Sequence, residues 1–207
     1  MSPEPKATKA HLPARDAKIA GADLPRTATP AYPARYVWPW KAKNGAEVLI
    51  RPIRPEDEPL MARFHESLSE QTVFLRYFHM ENLSARVAHE RLLRKCFVDY
   101  DREMALVAEA KNAATGEREI LAVGRLTREI DRREGELAVL VTDRAQRLGL
   151  GTELVRRLIE IARDERLERI VARTMPENTA MRSLAERFGF VTQKTADLSQ
   201  VKAVLTL

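Results

Sequence analysis

The chain has 207 residues, 44% of them apolar and 31% charged, enough for one ordinary domain and an appendage. Its formal charge of +5 is the small difference between 35 basic and 30 acidic groups of interspersed sign, so the dense Lys/Arg block of a nucleic-acid binder is absent from it. No run of 18 apolar residues exists to span a membrane, Met1–Ala20 holds no apolar signal-peptide core, and the single cysteine, Cys96, cannot close an internal disulfide. The expected address is the cytoplasm, with no membrane and no nucleic-acid partner.

Seven of the eleven prolines fall in the first 40 residues. Each fixes its own φ and restricts its predecessor, so residues 1–31 are expected to form a disordered Pro/Ala-rich arm. Residues 32–44 carry Tyr32, Tyr36, Trp38 and Trp40 and are expected to dock on a domain surface rather than supply a core strand. The domain itself is expected over residues 45–207. Glu47–Arg51 reads as a strand ended by Pro52 and Pro55. Pro55-Glu-Asp-Glu58 then opens a helix, since proline and acids suit a first turn, and Leu60, Phe64 and Leu68 continue it. Val73–Phe78 and Ala85–Phe97 give further helical segments.

After residue 100 the period changes from helical to alternating. Met104–Ala108 and Glu119–Gly124 flank the turn signal Asn112–Gly116. Glu136–Val141 is a strand apolar on both faces, hence central. A helix from about Gly149 to Arg166 carries Leu150, Leu154, Leu158 and Ile161 on one stripe. Arg169–Ala172 is a strand, Asn178–Phe188 a helix stopped by Gly189, and Phe190–Lys194 and Val201–Leu207 are closing strands. This order predicts a mixed α/β layer architecture.

The informative junction is Gln146-Arg147-Leu148-Gly149-Leu150-Gly151-Thr152, between the central strand and the long helix. A helix start offers amides without intrahelical partners and the positive end of the dipole. Gly149 and Gly151 remove the β-carbons that hold a ligand off those amides, which makes a seat for a diphosphate. Thr152 adds a hydroxyl, and Arg144 or Arg147 a cation. The spacing matches neither a P-loop nor a dinucleotide fingerprint.

Gln146-Arg-Leu-Gly149-Leu-Gly151 resembles the Gln/Arg-x-x-Gly-x-Gly/Ala signature of the GNAT acetyltransferase superfamily. Asn178-Thr-Ala-Met181-Arg-Ser-Leu184, running on to Phe188-Gly-Phe190, resembles its second signature. Tyr32–Tyr36, Asn44-Gly45, Ile50–Glu58, Leu68-Ser69 and Leu75-Arg-Tyr-Phe78 are similar to bacterial protein-lysine acetyltransferases, which often follow an ADP-forming acyl-CoA synthetase-like region. The resemblance, from about Val48 to Leu207, implies a mixed, mostly antiparallel sheet of about six or seven strands with helices on both faces. It implies acetyl-CoA in a V-shaped opening between the fourth and fifth strands. By match, Gln146, Arg147, Leu148, Gly149, Gly151 and Thr152 contact the pyrophosphate. Main-chain groups of Val139 and Val141 pair with the pantetheine arm, an amide near Val139 polarises the thioester carbonyl, and Asn178 touches the cofactor or a bridging water. The implied acceptor is a lysine of a protein such as an acyl-CoA synthetase. A small amine, a peptide N-terminus, or binding of acetyl-CoA without turnover are the alternatives.

A lysine amine with a pKa near 10.4 is almost wholly protonated at pH 7, so transfer needs a base. Glu136 begins the apolar run Leu137–Val141 and is the expected general base, with Glu134 the nearest alternative on the same face. Many relatives place a tyrosine directly after the leucine of the second signature to protonate the leaving thiolate; Ala185 stands there, leaving water or Ser183. His11, His65, His79 and His89 have no metal-ligand spacing, and no metal is expected. Cys96 is expected to be a packing thiol.

Overall fold

The computed structural model describes residues 31–129, 133–193, 195 and 197–207. The expected N-terminal arm, save Ala31, and Lys194 of an expected strand lie outside them. The elements follow in the order β1 (Trp38–Lys41), β2 (Glu47–Pro52), α1 (Glu58–Glu66), α2 (Glu70–Tyr77), α3 (Leu83–Val87) and α4 (His89–Cys96). Then come β3 (Glu103–Lys111), β4 (Arg118–Glu129), β5 (Glu134–Val141), α5 (Leu150–Asp164), β6 (Arg169–Thr174), α6 (Thr179–Arg187), β7 (Val191–Gln193) and β8 (Val201–Thr206). The strands make one sheet in the order β1-β2-β3-β4-β5-β6-β8-β7.

Period-two alternation sends the apolar residues of the central strands to two faces. On one face Ile50, Leu106, Leu126, Leu137 and Ile170 meet Leu150, Leu154, Leu158 and Ile161, the stripe of α5. On the other, Ala105, Val107, Val123 and Leu140 meet Leu60, Met61 and Phe64 of α1, Val73 of α2, and Leu92 and Cys96 of α4. The expected helices on both faces are thus present, and Cys96 is buried in the second core as a thiol that burial pushes up to about 12.

One polar knot fastens the start of α1 to the sheet. The buried Arg51 guanidinium of β2 donates to both carboxylate oxygens of buried Asp57, at 2.7 and 2.6 Å, and to Glu109 Oε2 of β3 at 2.5 Å. Asp57, read from sequence as a dipole-favoured acid, is therefore the anion of a buried pair.

Two expectations change. The sheet has eight strands rather than six or seven, because Trp38–Lys41 pairs antiparallel with β2 as an edge strand. Its Trp38 and Trp40 turn one way and Pro39 and Lys41 the other, and an edge tolerates the missing Pro39 donor. The helix expected over Ala85–Phe97 is two helices broken at Ala88, whose ψ of 130° is extended. The break lets Arg86 reach back to the His65 carbonyl at 2.8 Å while Leu92 and Cys96 turn into the core.

Candidate active site

A break in the sheet makes the site. Strands β5 and β6 run parallel, but their ladder holds only from Glu134 opposite Arg169 to Leu137 opposite Ala172. Beyond that, β6 stays with β8 through Thr174 while β5 stays with β4 through Val141, so the two diverge. With β1 added at the edge, this opening lies between the fifth and sixth strands rather than the fourth and fifth. The Thr142 amide donates to the Leu121 carbonyl at 2.9 Å, toward β4. Alternation along the strand then turns the main-chain groups of Val139 and Val141 the other way, into the opening.

The start of α5 stands at the same mouth. Gly149 is its N-cap residue at φ 95°, a conformation that L side chains rarely adopt. The amides that follow precede the first intrahelical bond, from Glu153 N–H to the Gly149 carbonyl at 3.0 Å. A β-carbon on Gly151 would stand 3.6 Å from Leu184, 3.8 Å from Val141 and 3.9 Å from Val139. The bare glycine thus keeps open the corner between α5, β5 and α6, as a phosphate cradle requires.

The aromatic segment braces this helix. Trp40 lies over Gly149, so a β-carbon there would meet its Cη2 at 3.3 Å, and the Lys43 amide donates to the Leu148 carbonyl at 3.1 Å. Further along α5 the Arg157 guanidinium covers the Trp38 ring at 4.7 Å, and the Tyr36 hydroxyl donates to Asp164 at 3.1 Å. Tyr36, Trp38 and Trp40 therefore follow α5 from its end to its beginning. The sequence signal was their spacing of two, the period of a strand face.

On the opposite side the loop is tied to α2. Asp143 accepts from the Ser69 amide at 2.9 Å, the Ser69 hydroxyl at 2.7 Å and the Thr72 hydroxyl at 2.8 Å. Burial raises the Asp143 carboxyl, but these donors outweigh it and hold it below the ordinary aspartate value. The Gln146 amide bonds to Thr72 at 3.3 Å and lies 3.5 Å from the Val141 carbonyl. Sequence reading missed Asp143 and Thr72.

The remaining expected residues are distributed as follows. Arg144 pairs with Glu119 at 2.6 Å, which commits it away from the cradle; Arg147, exposed at φ 63°, is the basic residue nearest in sequence to the glycines. Leu148, Gly149 and Thr152 are half-buried. Asn178 caps α6, its Oδ1 accepting from the Met181 amide at 3.0 Å. Glu136 is exposed on β5 and ion-paired with Arg173 of β6, a partner the sequence did not indicate. Glu134 is buried and paired with Arg169 at 3.3 Å. Ala185 is buried in the α5-side core, and Ser183 is exposed. Among the described residues no cluster of three or more His, Cys, Asp or Glu is arranged to hold a metal, and no helix is long and apolar enough to cross a membrane.

The family model of the acetyltransferase (GNAT) domain matches residues 47–191. The chain belongs to the GNAT acetyltransferase family. A curated relative, Acetyltransferase PA5475 of Pseudomonas aeruginosa, is 31% identical over 160 residues, 77% of this chain and 83% of the relative. The GNAT domain of S. lividans PAT superposes with a TM-score of 0.74 at 23% identity, covering 85% of this chain and 99% of that one. Mycobacterium smegmatis RimJ, solved with CoA-disulfide, superposes with a TM-score of 0.64 at 17% identity, covering 82% and 86%. The fold is the GNAT fold, the protein is an N-acetyltransferase, and acetyl-CoA is its cosubstrate.

Proposed function

We propose that the protein, in the cytoplasm, transfers the acetyl group of acetyl-CoA to a lysine side chain of another protein, an acyl-CoA synthetase-like one by its resemblance, with Glu136 as general base. The observation that carries this reading is the contrast between the two β5 carboxylates. Glu134 is sunk against Arg169 where β5 and β6 are still paired, while Glu136 is open to solvent one step before they part. Glu136, on release from Arg173, is the one exposed to an incoming amine.

Arg147 and the amides of Gly149 to Thr152 hold the diphosphate, and the Val139 and Val141 main chain pairs with the pantetheine arm as an added strand pairs with an edge. The thioester supplies an activated acetyl group with a thiolate leaving group of pKa near 8.5. Glu136 leaves Arg173 and takes one proton from the lysine ammonium, directly or through water. The freed nitrogen bonds to the carbonyl carbon, polarised by the Val139 amide, as the carbon–sulfur bond breaks. The surplus proton on the new amide nitrogen passes to water, water protonates the thiolate, since Ala185 has no proton to give, and Glu136 returns its proton to solvent. The exposed Phe74, Met80, Leu83, Leu93 and Phe97 of the α2–α4 layer, the layer whose α2 packs on β5, favour a protein acceptor.

Incubation with labelled acetyl-CoA and cell lysate tests the reading: the expected product is a labelled protein modified at lysine Nε. Label confined to small molecules, or to protein N-termini, would refute the lysine assignment. Glu136→Gln is expected to lower turnover at least about tenfold while calorimetric binding of acetyl-CoA persists; unchanged turnover removes Glu136 from the mechanism.

A further inference from the structure

The Leu75–Phe78 stretch, part of the resemblance to protein-lysine acetyltransferases, has no role in the chemistry above. It forms the last turn of α2, which packs against β5. Alternation puts Glu136 on the same face of β5 as Leu140, the face covered by α1–α4. Across the ladders Thr127 stands opposite both Glu136 and Glu103, and Arg125 opposite Ala138. Glu103, Arg125 and Glu136 therefore share one face beneath the helices.

Most cations of this wall are tied. Arg125 bonds to Glu103 and to the Lys95 carbonyl, Arg91 to Glu81, Arg86 to the His65 carbonyl, and Arg173 to Glu136. Arg76 is different. Among the described residues no carboxylate stands within ion-pair distance of it, and its contact is the Tyr77 ring, 5.2 Å from the guanidinium carbon. Burial lowers the Arg76 pKa, Arg125 lowers it further, and Tyr77, Glu136 and Glu103 pull the other way. Lys95 is likewise depressed by burial and then by Arg125. His65 is pushed down to about 4 by burial first, then by Arg86, Arg91, Arg125 and Lys95. Among the described residues this half-buried arginine, which feels the charge of Glu136, has no carboxylate within ion-pair distance.

A cation drawn out of water without an anion is costly, and the cost is recovered when a carboxylate arrives. We propose that Arg76 is a specificity-determining residue that receives a carboxylate carried by the acceptor next to its reacting nitrogen, so that the preferred substrate is an amine with an acidic neighbour, a lysine beside Asp or Glu. The assignment rests on the reading of Glu136 as the base facing the acceptor.

The test measures thiol release from acetyl-CoA by the full chain with matched lysine peptides flanked by Asp, Asn or Lys. A second set compares small amines bearing a carboxylate with their amides. Wild-type protein is expected to favour the carboxylate partner about tenfold in kcat/KM, chiefly through KM, as a charged hydrogen bond in a partly dry site provides. Arg76→Gln should bring the acid-to-amide ratio to about one, Arg76→Lys should restore part of it, and Arg76→Glu should shift preference to Lys-flanked peptides. Thermal shifts with acetyl-CoA check that each variant is folded; where one is not, the wild-type ratio and Arg76→Lys decide. A wild-type ratio of about one overturns the proposal, as does a uniform loss in Arg76→Gln with the ratio intact. Silent peptides with the ratio kept among small amines would refute the protein-lysine reading and leave Arg76 assigned. No thiol release with any acceptor, despite bound acetyl-CoA, would overturn both.

Discussion

Replacing Gly149 by alanine separates two kinds of cost at the proposed phosphate seat. The residue sits at φ 95°, where an L side chain costs about 1–2 kcal/mol. The new β-carbon also meets Trp40 at 3.3 and 3.4 Å, tight enough to move the ring and to add about 1 kcal/mol of overpacking. Together they amount to about 2–3 kcal/mol, or a fall in Tm of roughly 4–12 °C for a domain of this size. Trp40→Leu should relieve the contact but not the strain, so a double-mutant cycle is expected to show a coupling of about 1 kcal/mol. Gly116→Ala is the control, because that residue, at φ 71° in the β3–β4 turn, has nothing within 4 Å of the added carbon. It should cost about 1 kcal/mol and leave acetyl-CoA affinity as it was, whereas Gly149→Ala should weaken affinity several-fold. Urea unfolding and calorimetry measure both quantities. Stability within about 0.5 kcal/mol of wild type for Gly149→Ala, or no coupling to Trp40, would refute the argument that the ring and the turn are packed as one unit.

Three further outcomes are expected. Arg51→Met leaves Asp57 and Glu109 without their buried counter-ion and should cost about 3–5 kcal/mol in urea unfolding, against less than about 0.5 for Arg133→Met at the exposed pair with Glu168; equal effects would contradict the burial argument. His65, at about 4 in the folded protein against 6.5 for free histidine, makes the unfolded chain the first to bind a proton on acidification. Stability should therefore be lost as pH falls from about 6.5 to 4, by up to about 3 kcal/mol, and in His65→Phe that part of the acid limb should flatten; parallel pH curves would refute it. Asp143→Asn should loosen α2 by a few tenths to about 1 kcal/mol, discounted for exposure. Because the Asp143 carboxyl is held low, the gap to wild type should be present above about pH 4 and close as pH falls further; a gap that widens in acid would refute the assignment.

The elements with strong periodicity were legible from sequence. The apolar run Leu137–Val141 announced a central strand, the stripe Leu150–Ile161 a helix on its face, and the glycines between them a turn with free amides. β1 was not, because Pro39 and the flanking aromatics read as an irregular docking segment, and only pairing with β2 makes them a strand. The ion pair of Glu136 with Arg173 spans 37 residues, and the tie of Asp143 to Ser69 spans 74. No local pattern encodes contacts of that separation; they exist because the sheet brings β5 beside β6 and the loop beside α2. The same holds for Arg51, whose partners lie 6 and 58 residues away. That Arg76 has no carboxylate within ion-pair distance among the described residues is likewise set by the packing of α2 on β5, since its sequence neighbours give no hint that it feels the charges of Arg125, Lys95 and Glu136.

The position of the site follows from one topological fact. Among the described strands, β5 and β6 form the only parallel neighbours, and parallel strands need a crossover, here α5, to return the chain to the same end of the sheet. A crossover helix must begin where the preceding strand ends, so its unpaired amides arise beside the carboxyl end of β5. That is also where β5 outruns its pairing with β6 and bares the Val139–Val141 edge. The free amides of α5, proposed above as the diphosphate seat, and the strand edge are thus adjacent by construction, and Glu136 stands just before the parting, on the face roofed by α2. The tie from Asp143 to Ser69 and Thr72 then joins the loop proposed to seat the diphosphate to the helix that carries Arg76, so under both proposals a change in the order of one loop would reach both substrates.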